Sequence, residues 1–492
     1  MQNLFFDTRK LDESCRASYG LSEELMMENA ATALESAVLS HVQFEGVKNR
    51  VLIFCGAGNN GADGYALARR LRLKCNVVVF QCAAPKSELC ILQAARAEKC
   101  GTVFFELEDF TLEFVESAGV IVDCIFGTGF HGELDEKIQI LLSDANDVSA
   151  YRIACDVPSG IDSDGNVSVG SFRANLTVTM GALKLSLFHD LTKDFVGEIV
   201  CADLGVARRL YENSSNFPLN VASLLEKSDM ILPNRTKFCV NKGTFGHAAI
   251  SFGEKKGAAI ISAQAAFRFG AGLVSLVDFS KTADFGAVPN EIMTTFQIPE
   301  NTTAVALGMG TGRNSDDVFS AWFDFLKKNP EIPCILDADA FFSPLIFDFL
   351  KTRSRKVVLT PHPKEFQNLL KICELGEYSV SVCVKRRPEL IEKFCRQFPK
   401  STLLVKGANP MIGQFDGRKF NLYVNPLGRP CLAKGGSGDV LSGLIVALLA
   451  QKYKCLDAAA SASLAHALLS QQIECDFSMT PFDLIQKIST LR

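Results

Sequence analysis

The stretch "VLIFCGAGNNGADGYALARRL" (residues 51–71) determines the fold class expected for the first half of the chain. An apolar, β-branched run precedes Gly56, Gly58 and Gly61, and a helical pattern follows them, which predicts a buried strand, a tight turn and a helix. The free N–H groups at such a helix start favour a bound anion. The glycines alone do not establish binding, because a tight strand-to-helix turn needs glycine with or without a ligand.

The next strand argues against an ordinary NAD site. In dinucleotide-binding units, an acidic residue at the end of the second strand holds the ribose hydroxyls. Here that strand lies in "VVVFQCAAPK" (77–86) and carries Gln81 at this position. The turn before the helix is also unusually polar, with Asn59, Asn60 and Asp63, whose oxygens are hard ligands. We therefore expect a ligand other than intact NAD.

The pattern of strands and helices predicts two domains. Short apolar strands alternate with helical patterns in both halves, which is typical of α/β folds with parallel sheets. A chain of 492 residues is long enough for two cores. A polar stretch at residues 206–240 interrupts the alternation, so we expect a Rossmann-like first domain over 1–215 and a second α/β domain over 225–492.

Composition points to an enzyme that acts on small molecules. The net charge of −4 gives no reason to expect attraction to nucleic acid or to a membrane surface. The 17 cysteines are scattered through apolar strands without a CxxC pair, which favours free thiols in a reducing compartment. The first residues lack a signal pattern, and no apolar run is long enough to span a bilayer. We expect a cytoplasmic protein that forms a homo-oligomer.

Three further polar groups follow strands of the first half. "VDCIFGTGFHGE" (122–133) supplies Asp123, and "ACDVPSGID" (154–162) supplies Asp156 and Ser159. The carboxyl ends of parallel strands line one crevice, so these groups are expected to lie close together. Each acid by itself could equally be a helix cap or a turn former.

Four motifs in order, "GNNGADG" (58–64), "DCIFGTGFHG" (123–132), "ACDVPSGID" and "GALKLSLF" (181–188), resemble the YjeF N-terminal family of NAD(P)H-hydrate epimerases. The resemblance implies that Asn60, Asp123 and Ser159 hold K⁺ and that Asp156 contacts the damaged ring. Ala62 departs from the family, which usually has glycine there. The residues implied to bind the hydrated nucleotide are Asn59, Asn60, Gly61, Ala62, Asp63, Gly127, Thr128, Gly129, Phe130, His131, Gly132 and Glu133.

Epimerisation of a hydrated nicotinamide ring requires proton transfer. Hydration places a hydroxyl on a ring carbon, and inverting that centre takes ring opening or loss and return of water, with an acid and a base. Asp156 is a candidate for one of these roles. Lys184 is a candidate partner, and the alternative is that it is a solvated surface lysine without a role.

The stretch "CLAKGGSGDVLSGLIVALL" (431–449) predicts a second anion site, because Gly435, Gly436 and Gly438 stand at the start of a long apolar helix. Asp439 lies just inside that start. A carboxylate there could be a favourable helix-terminal charge, or it could be a general base beside a bound phosphate.

Other turns of the second half complete this pattern: "LGMGTGRN" (307–314), "LDADAF" (336–341), "LTPHPKEF" (359–366) and "LLVKGANP" (403–410). With "GGSGD" they resemble the ribokinase-like fold and, more closely, the ADP/ATP-dependent NAD(P)H-hydrate dehydratases, from about residue 235 onward. Pro410 and Lys364 depart from that family, where threonine and glycine are common. The residues implied to face the hydrated nucleotide are Ala258, Gly310, Gly312, His362 and Asp439, and those implied to face the adenine nucleotide are Lys406, Gly407, Ala408, Asn409, Pro410 and Gly438.

Together the two resemblances imply a bifunctional nicotinamide nucleotide repair enzyme. One half would interconvert the R and S hydrates with K⁺. The other would dehydrate the S form by phosphoryl transfer from ADP with Mg²⁺ and elimination, with Asp439 accepting the hydroxyl proton. Two alternatives stay open. The chain could be a ribokinase-type kinase of small alcohols with a nucleotide-binding module, or its first half could be a binding module without catalysis.

Overall fold

The computed structural model describes residues 1–42, 49–214, 219–281, 285–286, 288–313 and 315–492. Their contacts divide them into two compact units. The first is Asn3–Ala222, and the second combines Met1–Gln2 with Ser223–Arg492. The expected domain end at 215, the rest of the polar stretch over 215–218, and position 314 of the "LGMGTGRN" motif lie outside the described residues.

The first unit is built from strands alternating with helices, as its sequence pattern predicts. Its strands are β1 (Gln2–Phe5), β2 (Arg50–Cys55), β3 (Asn76–Gln81), β4 (Val103–Glu106), β5 (Ala118–Cys124), β6 (Tyr151–Cys155), β7 (Leu176–Met180) and β8 (Glu198–Ala202). Its helices are α1 (Arg9–Tyr19), α2 (Glu23–Leu39), α3 (Asn59–Leu71), α4 (Glu88–Lys99), α5 (Leu112–Glu116), α6 (Glu136–Asp147), α7 (Lys193–Val196) and α8 (Arg208–Glu212).

A seven-stranded parallel sheet in the order β4-β3-β2-β5-β6-β7-β8 forms the centre of this unit. Apolar side chains cover both of its faces, which explains why "VLIFC" is apolar throughout instead of alternating. The chain leaves β2 toward β3 and returns to β5 on the other side of β2. The order therefore reverses between β2 and β5, where parallel sheets open a ligand crevice at the strands' carboxyl ends.

The glycines of the opening stretch are required by close backbone approach. A Cβ at Gly56 would lie 2.0 Å from the carbonyl oxygen of Ile125, and one at Gly61 would lie 2.0 Å from the carbonyl oxygen of Gly56. Neither position tolerates a side chain. This packing holds the start of α3 against the loop that follows β5.

The second unit repeats the α/β plan. Its strands are β9 (Asn220–Leu224), β10 (His247–Ser251), β11 (Leu273–Val277), β12 (Met293–Thr295), β13 (Ala304–Leu307), β14 (Cys334–Leu336), β15 (Val357–Leu359), β16 (Thr402–Val405), β17 (Met411–Phe415) and β18 (Phe420–Val424). Its helices are α9 (Lys256–Arg268), α10 (Asp316–Lys328), α11 (Leu345–Thr352), α12 (Pro363–Ile372), α13 (Val380–Lys385), α14 (Arg387–Gln397), α15 (Ser437–Ala450), α16 (Cys455–Ser470) and α17 (Pro481–Lys487).

The strands of this unit lie in an eleven-stranded sheet in the order β1-β9-β18-β17-β16-β15-β14-β13-β10-β11-β12, in which the edge strand β1 begins at Gln2 of this unit. The strands from β10 to β16 pair in parallel, whereas β16, β17 and β18 form an antiparallel meander that the sequence analysis did not identify. Helix α15 is buried along almost its whole length, which accounts for its apolar sequence. The predicted class of two α/β domains is confirmed.

The second unit contains the single tryptophan of the sequence. The sole tryptophan, Trp322 on α10, is fully buried in the second unit, and its ring centroid lies 5.0 Å from that of Phe279. Within the described part of the chain, every helix is too short or too polar to cross a membrane.

Candidate active sites

A cavity of about 680 Å³ opens at the carboxyl ends of β2, β5, β6 and β7 in the first unit, with α1 and α2 as its other wall. The sequence-predicted residues that line it are Asn59, Asn60, Asp63, Gly127, Thr128, Gly129, Phe130 and Asp156. Gly61 and Ala62 are buried within α3, and His131, Gly132 and Glu133 are exposed outside the lining. The cavity thus brings together predicted residues at the start of α3 and residues 127–130 of the loop after β5. Residues 131–133 of that loop lie outside it.

Asp123 and Ser159 form a buried pair beneath this cavity. The Ser159 hydroxyl donates to Asp123 Oδ1 at 2.6 Å, and the Ser159 N–H donates to Oδ2 at 2.7 Å. Burial raises the pKa of Asp123 to about 6, although these hydrogen bonds act in the opposite direction. The Phe126 N–H donates to Ser159 Oγ, and Asn60 Nδ2 donates to the Phe126 carbonyl at 3.0 Å. The three residues predicted to hold K⁺ therefore belong to one hydrogen-bonded group.

Asp156, the candidate acid–base residue, has an unusual backbone conformation. Its φ of 69° lies in the left-handed region, where a non-glycine residue is uncommon. Oδ1 accepts from the Met180 N–H at 3.0 Å, from Thr179 Oγ1 at 3.3 Å and from Lys184 Nζ at 2.5 Å. The strand end of β7 therefore fixes the carboxylate where it lines the cavity.

Lys184 is buried, so the alternative that it is a solvated surface lysine is wrong. Its side chain is 1% exposed and is absent from the cavity lining. Besides Asp156, Nζ donates to Thr179 Oγ1 at 2.9 Å and to the Met180 carbonyl at 3.0 Å. All three ammonium protons are thus engaged below the cavity floor. Lys184 acts on Asp156 and does not face the space where a substrate would bind.

Two further acidic side chains, Asp63 and Asp12, line the cavity. Burial and the neighbouring charge of Asp156 raise the pKa of Asp63 well above its usual range. Asp12, on α1, also has a raised pKa, chiefly through burial. The sequence analysis missed Asp12, because its only local signal is its place beside Leu11 on an amphipathic helix.

Gln81, the residue that excluded an ordinary NAD site, has a structural contact. Its Nε2 donates to the Tyr65 hydroxyl on α3 at 3.0 Å. The side chain therefore ties the end of β3 to the helix that follows the glycine loop. A carboxylate that could hold ribose hydroxyls is replaced here by a packing interaction.

In the second unit, the loops after β13, β14, β15 and β16 meet at one edge of the parallel sheet. Asp337, directly after β14, accepts from Lys406 Nζ at 2.6 Å and from the Ser442 hydroxyl at 2.6 Å. Asp339 accepts from the Gly312 N–H at 3.0 Å. Burial opposes the charge on Lys406, but Asp337 and other neighbouring carboxylates outweigh burial and raise its pKa.

The start of α15 is shaped by its glycines. Gly436 has a φ of 88°, and a Cβ there would lie 2.5 Å from Pro481. A Cβ at Gly438 would lie 3.2 Å from Lys406 Nζ, so the lysine lies directly over the helix start. The free backbone N–H groups, the helix dipole and this ammonium group together favour an anion.

Asp439 follows at the third position of α15. Burial and the charge of Asp337 raise its pKa to about 7, against the opposing effect of Lys406. A carboxyl that titrates near neutral pH is suited to general base catalysis. Among the candidates of the second unit, Asp439 combines this property with a position beside the anion cradle.

His362 caps α12, and a second titratable side chain, Glu365, contacts it. Its Nδ1 accepts from the Lys364 N–H at 3.2 Å, and the Glu365 carboxylate accepts from the His362 N–H at 2.9 Å. Burial lowers the pKa of His362 and raises that of Glu365 to about 7. The sequence analysis quoted Glu365 within "LTPHPKEF" but assigned it nothing, because a glutamate three residues after a cap is the ordinary capping-box pattern.

The remaining predicted residues lie on two neighbouring loops. The carbonyl of Gly310 accepts from the Lys255 N–H at 2.9 Å, which places the Gly310 loop against the first turn of α9, where Ala258 lies. In the second loop, Gly407 and Ala408 are exposed, Lys406 and Pro410 are half-buried, and Asn409 is buried, with its carbonyl accepting from buried Arg387 at 3.1 Å. Arg387 supports this loop from beneath and was not predicted.

His466 was also missed. Its Nε2 lies 3.1 Å from the Ser437 hydroxyl at the first position of α15, and burial lowers its pKa to about 4. The ring is therefore neutral at pH 7. Its apolar neighbours on α16 gave no sequence signal beyond that of a core residue.

Comparison with known proteins supports both halves. The family model described as YjeF-related protein N-terminus matches residues 23–186, and that described as NAD(P)H-hydrate dehydratase matches residues 250–490. The bifunctional NAD(P)H-hydrate repair enzyme Nnr of Helicobacter pylori is 40% identical over 491 residues, covering 100% of both chains. The protein of the same name from Dictyoglomus turgidum is 32% identical, covering 98% of this chain and 96% of its own.

A solved structure resembles the second half. The ADP/ATP-dependent NAD(P)H-hydrate dehydratase from Bacillus subtilis, co-crystallised with ATP/Mg²⁺, is 22% identical with a TM-score of 0.45, covering 55% of this chain and 97% of that one. The family assignment rests on the full-length relatives. This chain belongs to the family of bifunctional NAD(P)H-hydrate repair enzymes.

Proposed function

We propose that residues 1–215 interconvert the R and S hydrates of NADH and NADPH, and that residues 225–492 dehydrate the S form at the expense of ADP. The observation that carries this proposal is the pair of separate sites, each at the carboxyl edge of its own parallel sheet. The first site offers carboxyl groups around a cavity that the glycine-rich start of α3 also lines. The second offers Asp439 and Lys406 at a glycine-rich helix start, as phosphoryl transfer requires.

In the first half, Asp156 is proposed to transfer a proton to or from the oxygen on the ring carbon that is inverted. Lys184 holds its carboxylate in place through the 2.5 Å contact. Asn59, Asn60, Asp63 and the loop over Gly127–Phe130 line the same cavity and are proposed to bind the rest of the hydrated nucleotide. The predicted contributions of Gly61, Ala62, His131, Gly132 and Glu133 stay predictions.

The oxygen-rich group beneath the cavity fits a monovalent cation. Among the described residues, no group of three or more His, Cys, Asp or Glu is arranged to hold a metal ion, which leaves carbonyl, amide and hydroxyl oxygens with one carboxylate. A Cβ at Gly127 would lie 3.5 Å from Asn60 Oδ1, so glycine keeps this space open. Asn60, Asp123 and Ser159 would hold K⁺, whose charge would compensate the buried carboxylate and attract the substrate phosphates.

In the second half, Asp439 is proposed to accept the proton of the substrate hydroxyl as a phosphoryl group is transferred to it. Phosphate is then a better leaving group than hydroxide, and elimination restores the reduced nicotinamide. The N–H groups at the start of α15, with Gly438 and Lys406, would stabilise the charge on the transferred group. Ala258, Gly310, Gly312 and His362 are proposed to hold the hydrated nucleotide.

The nucleotide donor is proposed to occupy the loop over 406–410, with Mg²⁺ shielding its phosphates. Asp337, which contacts Lys406, would supply one carboxylate, and the phosphates of the donor and water would supply the other oxygens that Mg²⁺ prefers. We propose ADP as the donor, and the Bacillus subtilis dehydratase bound to ATP/Mg²⁺ makes ATP the comparison to test. Self-association into a homo-oligomer and a cytoplasmic location stay predictions.

The test is to give the purified chain separated R and S hydrates with ADP or with ATP, and to follow the absorbance of the reduced nicotinamide. With ADP we expect NAD(P)H, AMP and inorganic phosphate from the S hydrate, and consumption of the R hydrate faster than its spontaneous epimerisation. An Asp156→Asn variant is the matched control, which should dehydrate S normally and leave R behind. A stable phosphorylated product would instead favour the small-alcohol kinase. Unchanged epimerisation in Asp156→Asn would indicate that Asp156 has no proton-transfer role and would reopen the binding-module alternative.

A further inference from the structure

The first cavity contains a carboxyl group that no motif assigns. Asp12 lies on α1, at the wall of the cavity opposite the strand ends, and it lines the same space as Asp156 and Asp63. Epimerisation in both directions needs two proton-transferring groups on the substrate. Asp156 supplies one, and Lys184 cannot supply the other, because its ammonium group lies beneath the cavity and is fully hydrogen-bonded.

Asp12 is held in position by an element distant in sequence. The hydroxyl of Tyr211, on α8, donates to Asp12 Oδ1 at 2.6 Å. Tyr211 is itself buried, and its hydroxyl also has a hydrogen bond with the side chain of Thr8, which fixes its position. Asp12 lines the cavity, and among the described residues Oδ1 is the carboxyl oxygen that accepts this hydrogen bond.

Gly181 makes room for this tyrosine. A Cβ at Gly181 would lie 2.6 Å from two ring atoms of Tyr211, and its φ of 72° is a conformation that side chains rarely adopt. Gly181 directly follows Met180, whose N–H holds Asp156. The turn after β7 therefore supports both carboxyl groups, Asp156 through its backbone and Asp12 through the packing of Tyr211.

The charges around Asp12 favour its protonated form. The groups that face it from other elements are Tyr211, Lys184, Asp156, Glu23 and Asp63, and those of its own helix on the cavity are Arg9, Glu13 and Arg16. Burial raises the pKa of Asp12, and the carboxylates of Asp156 and Glu23 act in the same direction. The hydrogen bond from Tyr211 and the charge of Lys184 lower it. A carboxyl biased toward the neutral form can donate a proton.

Resting on the epimerase activity proposed above, we propose that Asp12 is the second proton-transferring residue of that reaction. Its carboxyl gives a proton to the hydroxyl oxygen on the ring carbon as the C–O bond breaks, and water leaves. The ring nitrogen's electron pair stabilises the resulting cation. Water then adds to the other face of the ring, and Asp156 takes the proton that this water loses. The reverse reaction exchanges the two roles, and solvent resets the protons between turnovers.

The test uses the full chain and separated R hydrate with excess ADP, so that dehydration removes the S form. Asp12→Asn should slow epimerisation about 10²- to 10⁴-fold, as expected for loss of a general acid. Its direct dehydration of S hydrate should be unchanged. Glu24→Gln is the matched control, because it neutralises a carboxylate on α2 that pairs with Arg96 outside the cavity lining, and it should epimerise normally.

Tyr211→Phe distinguishes proton transfer from a purely structural role. Removing the hydroxyl removes a hydrogen bond that favours the charged carboxylate, so the pKa of Asp12 rises further. A general acid is active only when protonated, and the alkaline limb of the epimerisation profile in kcat/KM should therefore move to higher pH. Hydrogen exchange of peptides from the first unit shows whether the fold around the cavity is intact.

Each outcome is decisive. If the native chain epimerises and an Asp12→Asn variant with native hydrogen exchange in the first unit does so at a normal rate, Asp12 is not catalytic, while the epimerase assignment stands. An unchanged alkaline limb in Tyr211→Phe would also reject proton transfer by Asp12. If Asp12→Asn loses native exchange protection in the first unit, Asp12→Glu decides, because a proton donor restored there should recover part of the rate and a structural residue should not. If the native chain itself does not epimerise, the proposed function has failed first.

Discussion

Each unit places one lysine against one aspartate, and the two pairs differ in whether that aspartate is itself the candidate catalytic residue. In the first unit, Lys184 contacts Asp156, which itself lines the cavity. In the second, Lys406 contacts Asp337, and the candidate base Asp439 is a separate group. Burial raises the pKa values of Asp12 and Asp63 in the first site and of Asp439 in the second.

This comparison separates aspartates that are held by a lysine from aspartates whose pKa values are raised. The lysine contact fixes the position of Asp156 and of Asp337, whereas burial raises the pKa values of Asp12, Asp63 and Asp439 and so favours their protonated forms. In the second unit, the aspartate that contacts the lysine, Asp337, and the candidate base, Asp439, are different residues, so each can be substituted by itself. In the first unit, Asp156 combines the lysine contact with a place on the cavity. Substitutions can therefore show whether the two sites follow the same rule.

The largest expected effect is on the titrating group of the second unit. Asp439→Asn keeps the size of the side chain but removes the proton acceptor, so dehydration of the S hydrate should fall by about 10² to 10⁴. Nucleotide binding and epimerisation should persist, as measured by calorimetry and by loss of the R hydrate. A variant that dehydrates S hydrate at nearly the native rate would make Asp439 a helix-terminal charge without a catalytic role.

The next effect concerns the two lysines. Lys406→Met leaves the carboxylate of Asp337, which is 2% exposed, without its charged partner, and breaking such a buried pair costs about 3 to 5 kcal/mol of unfolding free energy. Lys184→Met should cost less, because Asp156 is 14% exposed on the cavity and water can replace part of its contact. Hydrogen exchange of peptides from each unit of the full chain measures both losses.

The control for the lysines is Lys137→Met, which removes an exposed contact with Glu108 and should leave exchange unchanged. Equal losses for Lys184→Met and Lys406→Met would show that burial does not distinguish the two pairs.

The third effect is on pH dependence and has a definite sign. Folding raises the pKa of Asp439 from 3.8 to about 7, so the folded state binds the proton more tightly and loses stability as the pH rises through this range. At pH 8, Asp439→Asn should therefore raise the free energy of unfolding by about 1 to 4 kcal/mol, at about 1.36 kcal/mol per pKa unit. In the native chain, kcat/KM for dehydration should fall about tenfold per pH unit below the pKa of this base.

Denaturant titrations at pH 5 and pH 8 check the sign. A carboxylate that only stabilises the helix start would give the opposite result, since removing it lowers stability by about 0.3 to 1 kcal/mol. The two interpretations of Asp439 thus differ in direction as well as in size.

The fold was predictable wherever local sequence determines local structure. Runs such as "VLIFC" are apolar because both sheet faces are covered, and glycines such as Gly56 mark close backbone approach. The antiparallel β17–β18 hairpin was missed although Asp416-Gly417 lies between its strands, and this dipeptide is a known hairpin signal.

The sites were predictable only where glycines and acids share one loop. Asp156 and Asp439 were identified because each follows a strand or begins a helix within a glycine-rich motif. The burial of Lys184 was not predictable, because it depends on a carboxylate 28 positions away. Asp12 depends on Tyr211, 199 positions away, and no local pattern records such a contact.

The single tryptophan gives the chain a built-in reporter. Because Trp322 is buried in the second unit, and the chain has no other, its emission follows the unfolding of that unit alone. Circular dichroism follows helices in both units. Subtracting one melting curve from the other isolates the first unit without cutting the chain, so a ligand added to the intact protein can be assigned to the half that it stabilises.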